Sequence, residues 1–88
     1  MQLRSRAALV ECLEVSGLSE RELARAAGLG HATVNHLLTG RRASCSFATA
    51  RAIEQVFLIE AGGLFIPDTA ADLASMQQLS VYQAGLRP

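Results

Sequence analysis

The 88 residues predict an all-α bundle, and three features of the chain lead there. Half of the residues are apolar, which allows one core in one domain of this size. Alanine and leucine dominate, and both are strong helix formers. Apolar residues recur at helical spacing, whereas the β-branched and aromatic runs that mark strands are scarce. The aromatics are Phe47, Phe57, Phe65 and Tyr82, with no tryptophan.

The first helix is expected over about Leu3–Val15, where Leu3, Ala7, Val10 and Leu13 recur at steps of four, three and three. Ser16-Gly17 ends it, and Leu18 packs back. Ser19 and Glu22 form a capping-box pattern that opens a second helix over about Glu20–Ala27. Gly28 turns the chain. A third helix covers about His31–Thr39, with Val34, Leu37 and Leu38 apolar, and Gly40 stops it. Arg41, Arg42, Ala43 and Ser44 make a polar connection. Ser46 caps a fourth helix over about Phe47–Phe57, whose inner face is Phe47, Ala50, Ile53 and Phe57. A short fifth turn or helix, about Glu60–Phe65, ends before Pro67. In the C-terminal tail, Leu73, Met76 and Leu79 recur every three residues, which allows a final helix over about Thr69–Leu79. Val81–Pro88 is expected to be loose or used only in an assembly.

Net charge is zero, but it is unevenly spread. Residues 1–52 carry a net +3, from seven arginines and four glutamates. Residues 53–88 carry a net −3. A basic front and an acidic tail fit a nucleic-acid-facing unit with a differently employed end. Glu11 and Glu14 interrupt the first apolar stretch, so no secretory signal is expected, and no apolar run approaches spanning length. The chain is expected to be cytoplasmic, with Cys12 and Cys45 as reduced thiols.

Leu18–Arg42 is the informative stretch. Two helices of eight or nine residues flank the turn Gly28-Leu29-Gly30. Ala24 and Ala27 are small enough for the helices to cross closely. Leu29, Val34 and Leu37 anchor the second helix, which leaves His31, Ala32, Asn35, His36 and Thr39 outward. In a helix-turn-helix such an outward face enters the major groove of DNA, its N-terminal residues nearest the bases.

The run Ser19-Glu20-Arg21-Glu22-Leu23-Ala24-Arg25-Ala26-Ala27-Gly28, followed by Thr33-Val34-Asn35-His36-Leu37 and Gly40-Arg41-Arg42, resembles the Cro/Xre-type, lambda-repressor-like helix-turn-helix family. The resemblance covers about residues 3–66. It implies a five-helix bundle over residues 1–66, which leaves residues 67–88 as an added tail; its Leu73, Met76 and Leu79 stripe makes that tail either an extra helix or a self-association segment. The resemblance also implies an operator-like double-stranded DNA partner in a bacterial host cell, bound by a homodimer. By resemblance His31, Ala32 and Asn35 face the bases, with Thr33 and His36 at the edge. Asparagine pairs with adenine, alanine touches a thymine methyl, and histidine donates or accepts. Ser19, Arg41 and Arg42 face phosphate. Two residues depart from the family. Glu20 stands where the second helix approaches phosphate and would repel it, which leaves that contact to backbone amides and Ser19. Leu58 stands where glycine often closes the fourth helix.

The expected function is sequence-specific DNA binding by a phage or bacterial repressor or Cro-like transcriptional regulator. The alternative is a protein-interaction module, such as an antitoxin, on the same fold. No cofactor, metal or catalytic site is expected. His31 and His36 lie about 140° apart around a helix, not on the shared face that paired ligands use. No nucleophile motif or glycine-rich phosphate loop is present.

Overall fold

Short polar side chains set where the helices begin. In the computed structural model, which describes residues 1–85 and the side chains of residues 1–79, helix α1 runs Arg6–Ser16. The Ser5 hydroxyl accepts a hydrogen bond from the Ala8 amide at 3.2 Å, filling one of the orphan donors of a helix start. Helix α2 is Glu20–Ala27, α3 is His31–Thr39 and α4 is Phe47–Val56, the last capped by Ser46, which accepts from the Thr49 amide at 3.1 Å. The Ser19–Glu22 capping box is formed in both directions. Helix α5 runs Ala70–Gly85, and Thr69 Oγ1 accepts from the Asp72 amide at its start. The all-α reading holds, with five helices and one small sheet among the described residues.

Three expectations are corrected. Leu3 does not open a helix. It belongs to a strand, β1 (Gln2–Leu3), because the Ser5 cap delays α1. The inner face of α1 also has a different phase: Leu9 is fully buried while Ala7 is exposed. Second, of the turn or helix expected over Glu60–Phe65, it is the turn that forms and not the helix. The segment turns through Gly62, at φ 89°, and ends in strand β2 (Phe65–Ile66), which pairs antiparallel with β1. Third, the tail helix continues to Gly85, past the point at which Val81–Pro88 was expected to loosen; residues 86–88 lie outside the described residues.

The cause of the second correction is Glu54. Its side chain is wholly buried at the inner face of α4. One carboxylate oxygen accepts from the amides of Leu64 and Phe65 at 3.0 and 3.1 Å, and the other accepts from Arg51 Nη1 at 3.0 Å. Two amides that a helix would have used internally are thereby committed to a side chain. They hold β2 in an extended path beside β1.

β1 also reaches the connection after α3. The Leu3 amide donates to Ala43 O at 2.8 Å, and the Cys45 amide donates to Met1 O at 2.9 Å. The N-terminal segment therefore lies between residues 43–45 and β2. Its ammonium group is buried and donates to Cys45 O, Asp68 and Asp72 at 2.8, 2.9 and 2.6 Å. This ties the start of α5 to the core, where Met76 also packs.

The core has two connected parts. Met1, Leu3, Leu9, Leu37, Ala50, Ile53, Leu64 and Phe65 form the larger, and Leu23, Ala24 and Val34 the smaller. Leu29, Leu38 and Phe57 touch both. At the end of α4, Leu58 takes the left-handed backbone itself, at φ 58°. The Ile59 amide then reaches back to Glu54 O at 2.8 Å, the same closure that Leu29 makes to Ala24 O after α2. Among the described residues, no helix is long and apolar enough to cross a membrane.

Two predictions follow from the ionic anchors. Glu54→Ala leaves two buried amides and a guanidinium without their acceptor, and denaturant unfolding should show a loss of about 3–5 kcal/mol. The second concerns pH. Hydrogen bonding from the Met1 ammonium holds Asp72 down to about 2. Burial alone would lower the ammonium pKa, but its bonds and charge pairing with Asp72 and Asp68 raise it above the ordinary 8.0. The Asp72 contribution is complete above the ordinary carboxylate value of 3.8 and vanishes as pH falls through about 2. The ammonium contribution is complete below pH 8.0 and is lost as pH rises through its raised value. The melting temperature should therefore be highest between these limits, and Asp72→Asn should flatten both flanks.

Candidate nucleic-acid interface

The α2–turn–α3 unit is set by two local devices. Gly28 sits at φ 69°, a backbone region that costs other residues about 1 kcal/mol, and its amide closes α2 onto Arg25 O. Gly30 then stands at the start of α3 with no side chain to cap it. The two helices turn sharply and pack through Ala24, Leu23 and Val34, all buried. Ala27 is only half-buried and faces α4, beside Ala52 and Val56. Of the two small residues expected at the crossing, Ala24 is the one enclosed.

Burial along α3 divides the helix cleanly. Val34 and Leu37 are inaccessible, whereas His31, Ala32 and Thr33 are exposed at its first turn. Asn35 and His36 are half-buried along the margin, and Thr39 is exposed at the end. Thr39 Oγ1 donates to Asn35 O at 2.8 Å, so its hydroxyl proton serves the helix itself.

The flanks of this face are polar. Ser19 is exposed at the start of α2, its oxygen already accepting from Glu22. Hydrogen bonding to the Ser19 amide, then to its hydroxyl, keeps the Glu22 carboxyl below its ordinary range. Arg41 and Arg42 are both exposed beyond α3. The Arg42 amide folds back onto His36 O at 3.1 Å, and its side chain borders an open hollow with Thr33, His36, Ser44, Ser46 and Thr49. That hollow lies between α3 and the first turn of α4, whose Thr49 amide is already taken by the Ser46 cap. Arg41 does not line it. Cys45 also borders the hollow, its thiol pushed up to about 11 chiefly by burial.

Two contacts beyond the expected site residues are part of the arrangement. Arg6 Nη1 donates to Thr39 O at 3.2 Å, closing the end of α3 from α1. Glu20 lies against both His31 and Asn35, at 3.3 Å from each. Nothing in the spacing of the chain announces either contact, since the partners are 33 residues apart for Arg6–Thr39 and 15 for Glu20–Asn35. Among the described residues, no cluster of three or more histidine, cysteine or carboxylate side chains could hold a metal ion.

A family model described as a helix-turn-helix domain matches residues 2–57, well over half of the chain. The match runs from β1 to the end of α4 and contains the whole α2–turn–α3 unit. No curated protein and no solved structure matches the chain.

The packing of this unit makes a prediction that needs no ligand. Ala24 is 4% exposed between α2 and α3. Ala24→Leu should lower unfolding free energy by about 1–3 kcal/mol through overpacking, with Ala26→Leu, on the exposed side of α2, near wild type. Equal denaturant midpoints for the two variants would contradict the helix crossing.

Proposed function

Because the chain belongs to this helix-turn-helix family, one of Cro/Xre-like domains, we propose that it is a sequence-specific binder of double-stranded DNA that regulates transcription. The observation that carries the reading is the division of α3. A fully buried Val34 and Leu37 hold the helix down, and an open His31-Ala32-Thr33 turn with Asn35 behind it faces outward. That face offers hydrogen-bond donors, acceptors and a methyl group in the space a major groove would occupy.

In this reading Asn35 pairs with an adenine, Ala32 meets a thymine methyl, and His31 bonds a base edge. Thr33 and His36 sit at the edge of the same footprint. Ser19, Arg41 and Arg42 contact phosphate on either side, which fixes register and carries no base information. The protein acts in the cytoplasm of a bacterial host as a repressor or Cro-like regulator, of phage or chromosomal origin. One recognition helix reads too few base pairs for high specificity, so a homodimer on two half-sites about 34 Å apart completes the site. Leu73, half exposed on α5, places an apolar group on the tail for that pairing.

Selection of bound sequences from random duplex DNA tests the reading directly, and an enriched two-fold motif is the expected result. Asn35→Ala should cut the ratio of specific to non-specific affinity by an amount worth about 1–3 kcal/mol, with melting unchanged. Arg41→Ala and Arg42→Ala should weaken binding to all sequences alike. Each should flatten the slope of log affinity against log salt by about one unit. Failure to enrich any motif, with no salt-dependent binding, would remove the proposal.

A further inference from the structure

We propose that Glu20 is a specificity-determining positioning residue that fixes how Asn35 and His31 present themselves to base edges. The inference rests on the DNA-binding reading above and extends it to a residue outside α3.

Glu20 has only acceptors, so only a donor can face it. Asn35 meets it through Nδ2, at 3.3 Å from one oxygen and 3.5 Å from the other. The reversed amide would set Oδ1 against the carboxylate, acceptor against acceptor. Glu20 therefore selects one of the two amide orientations. It uses one N–H of Nδ2 and leaves the other N–H and Oδ1 unengaged. One donor and one acceptor in a fixed order is the pattern that matches N7 and the N6 amino group of adenine. A freely flipping asparagine offers both orders and discriminates less.

The same carboxylate holds the other reader. Glu20 Oε2 lies 3.3 Å from His31 Nε2. That approach is a charge contact and not a directed hydrogen bond, so Glu20 holds the ring of His31 close without selecting which nitrogen it presents. His31 and Asn35 are four residues apart and share one face of α3, which lets a single carboxylate reach both. The carboxylate is itself placed by the backbone. Glu20 is the first residue of α2, immediately after the Ser19 cap that locks the start of that helix. Its side chain is 36% exposed, sheltered enough to hold an orientation and close enough to solvent to lie beside the duplex.

Glu20 also places a negative charge where phosphates approach. That gives the proposal a signature that simple scaffolding would not have. Removing the carboxylate should strengthen non-specific binding by relieving repulsion, while weakening discrimination by freeing the amide. A purely structural residue would weaken both affinities. A purely repulsive one would raise both by one factor.

The experiment uses the full chain, a duplex chosen by selection and a scrambled duplex of equal length, at one fixed salt concentration. Glu20→Ala is expected to raise affinity for the scrambled duplex and to lower the specific-to-non-specific ratio about tenfold, with broadened preference at the base pair that Asn35→Ala also affects. Glu20→Gln is expected to keep the ratio, because its Oε1 still accepts from Asn35. Without DNA, the Asn35 side-chain amide resonances in an NMR spectrum should move in Glu20→Ala and much less in Glu20→Gln. An unchanged ratio in Glu20→Ala overturns the inference, as does Glu20→Gln losing as much discrimination as Glu20→Ala. If Asn35→Ala lowers the ratio and Glu20→Ala does not, this inference alone fails. If the wild-type chain prefers no duplex, the DNA-binding reading fails and takes this inference with it.

Discussion

The buried carboxylate of Glu54 organises the part of this molecule that is not helix. It occupies the interior of α4 with no access to solvent, and a charged group there is tolerated only when its lone pairs are filled. Arg51 and the amides of Leu64 and Phe65 fill them. The consequence runs outward through the backbone. Fixed amides at 64 and 65 hold β2, and β2 pairs with β1. β1 bonds residues 43–45, which follow directly on Arg41 and Arg42. An ion pair at the centre of the fold thus sets the path of the connection that leaves α3.

A second consequence concerns rigidity around the candidate interface. α3 is held from three sides by different means. α2 and the turn hold it through apolar packing, α1 through the Arg6 contact at its C-terminal end, and the β1 pairing through the segment behind it. Its outward side has no such support except Glu20, which reaches up from the start of α2. The face proposed to meet DNA is therefore the side left least committed to the protein's own interior, apart from that one carboxylate.

The helix-turn-helix was legible in the sequence because its determinants are local. Ser19 and Glu22 cap each other across three residues, Gly28 turns the chain where it stands, and Val34 and Leu37 are one turn apart. The bounds of α2 and α3 coincide with those expected. What was not legible depends on groups distant along the chain. Leu3 continued a helical periodicity on paper, yet its amide is claimed by Ala43. Glu54 is absent from the inner face expected of the fourth helix, and only the approach of residues 64 and 65 makes its burial favourable. The Glu20 carboxylate could be read as a repulsive charge near phosphate, but not as a partner for two residues on another helix. Leu58 was visible as an unusual helix terminator. That it would adopt glycine's backbone conformation, and not extend α4, follows from the Ile59 amide returning to Glu54 O.

The position of β1 between two later segments bears on the order in which the fold is built. Helices of eight to eleven residues with near-neighbour caps assemble from contacts close in sequence, and such contacts form fast. The Met1 ammonium has a different schedule. Its partners are 44, 67 and 71 residues away. During synthesis Met1 is thus late to find its place, since Asp72 must emerge before the clamp can close. Until then the Met1 ammonium lacks two of its three partners. The closing of the N-terminus onto Asp68 and Asp72 waits for the start of α5, however early the helices before it have formed.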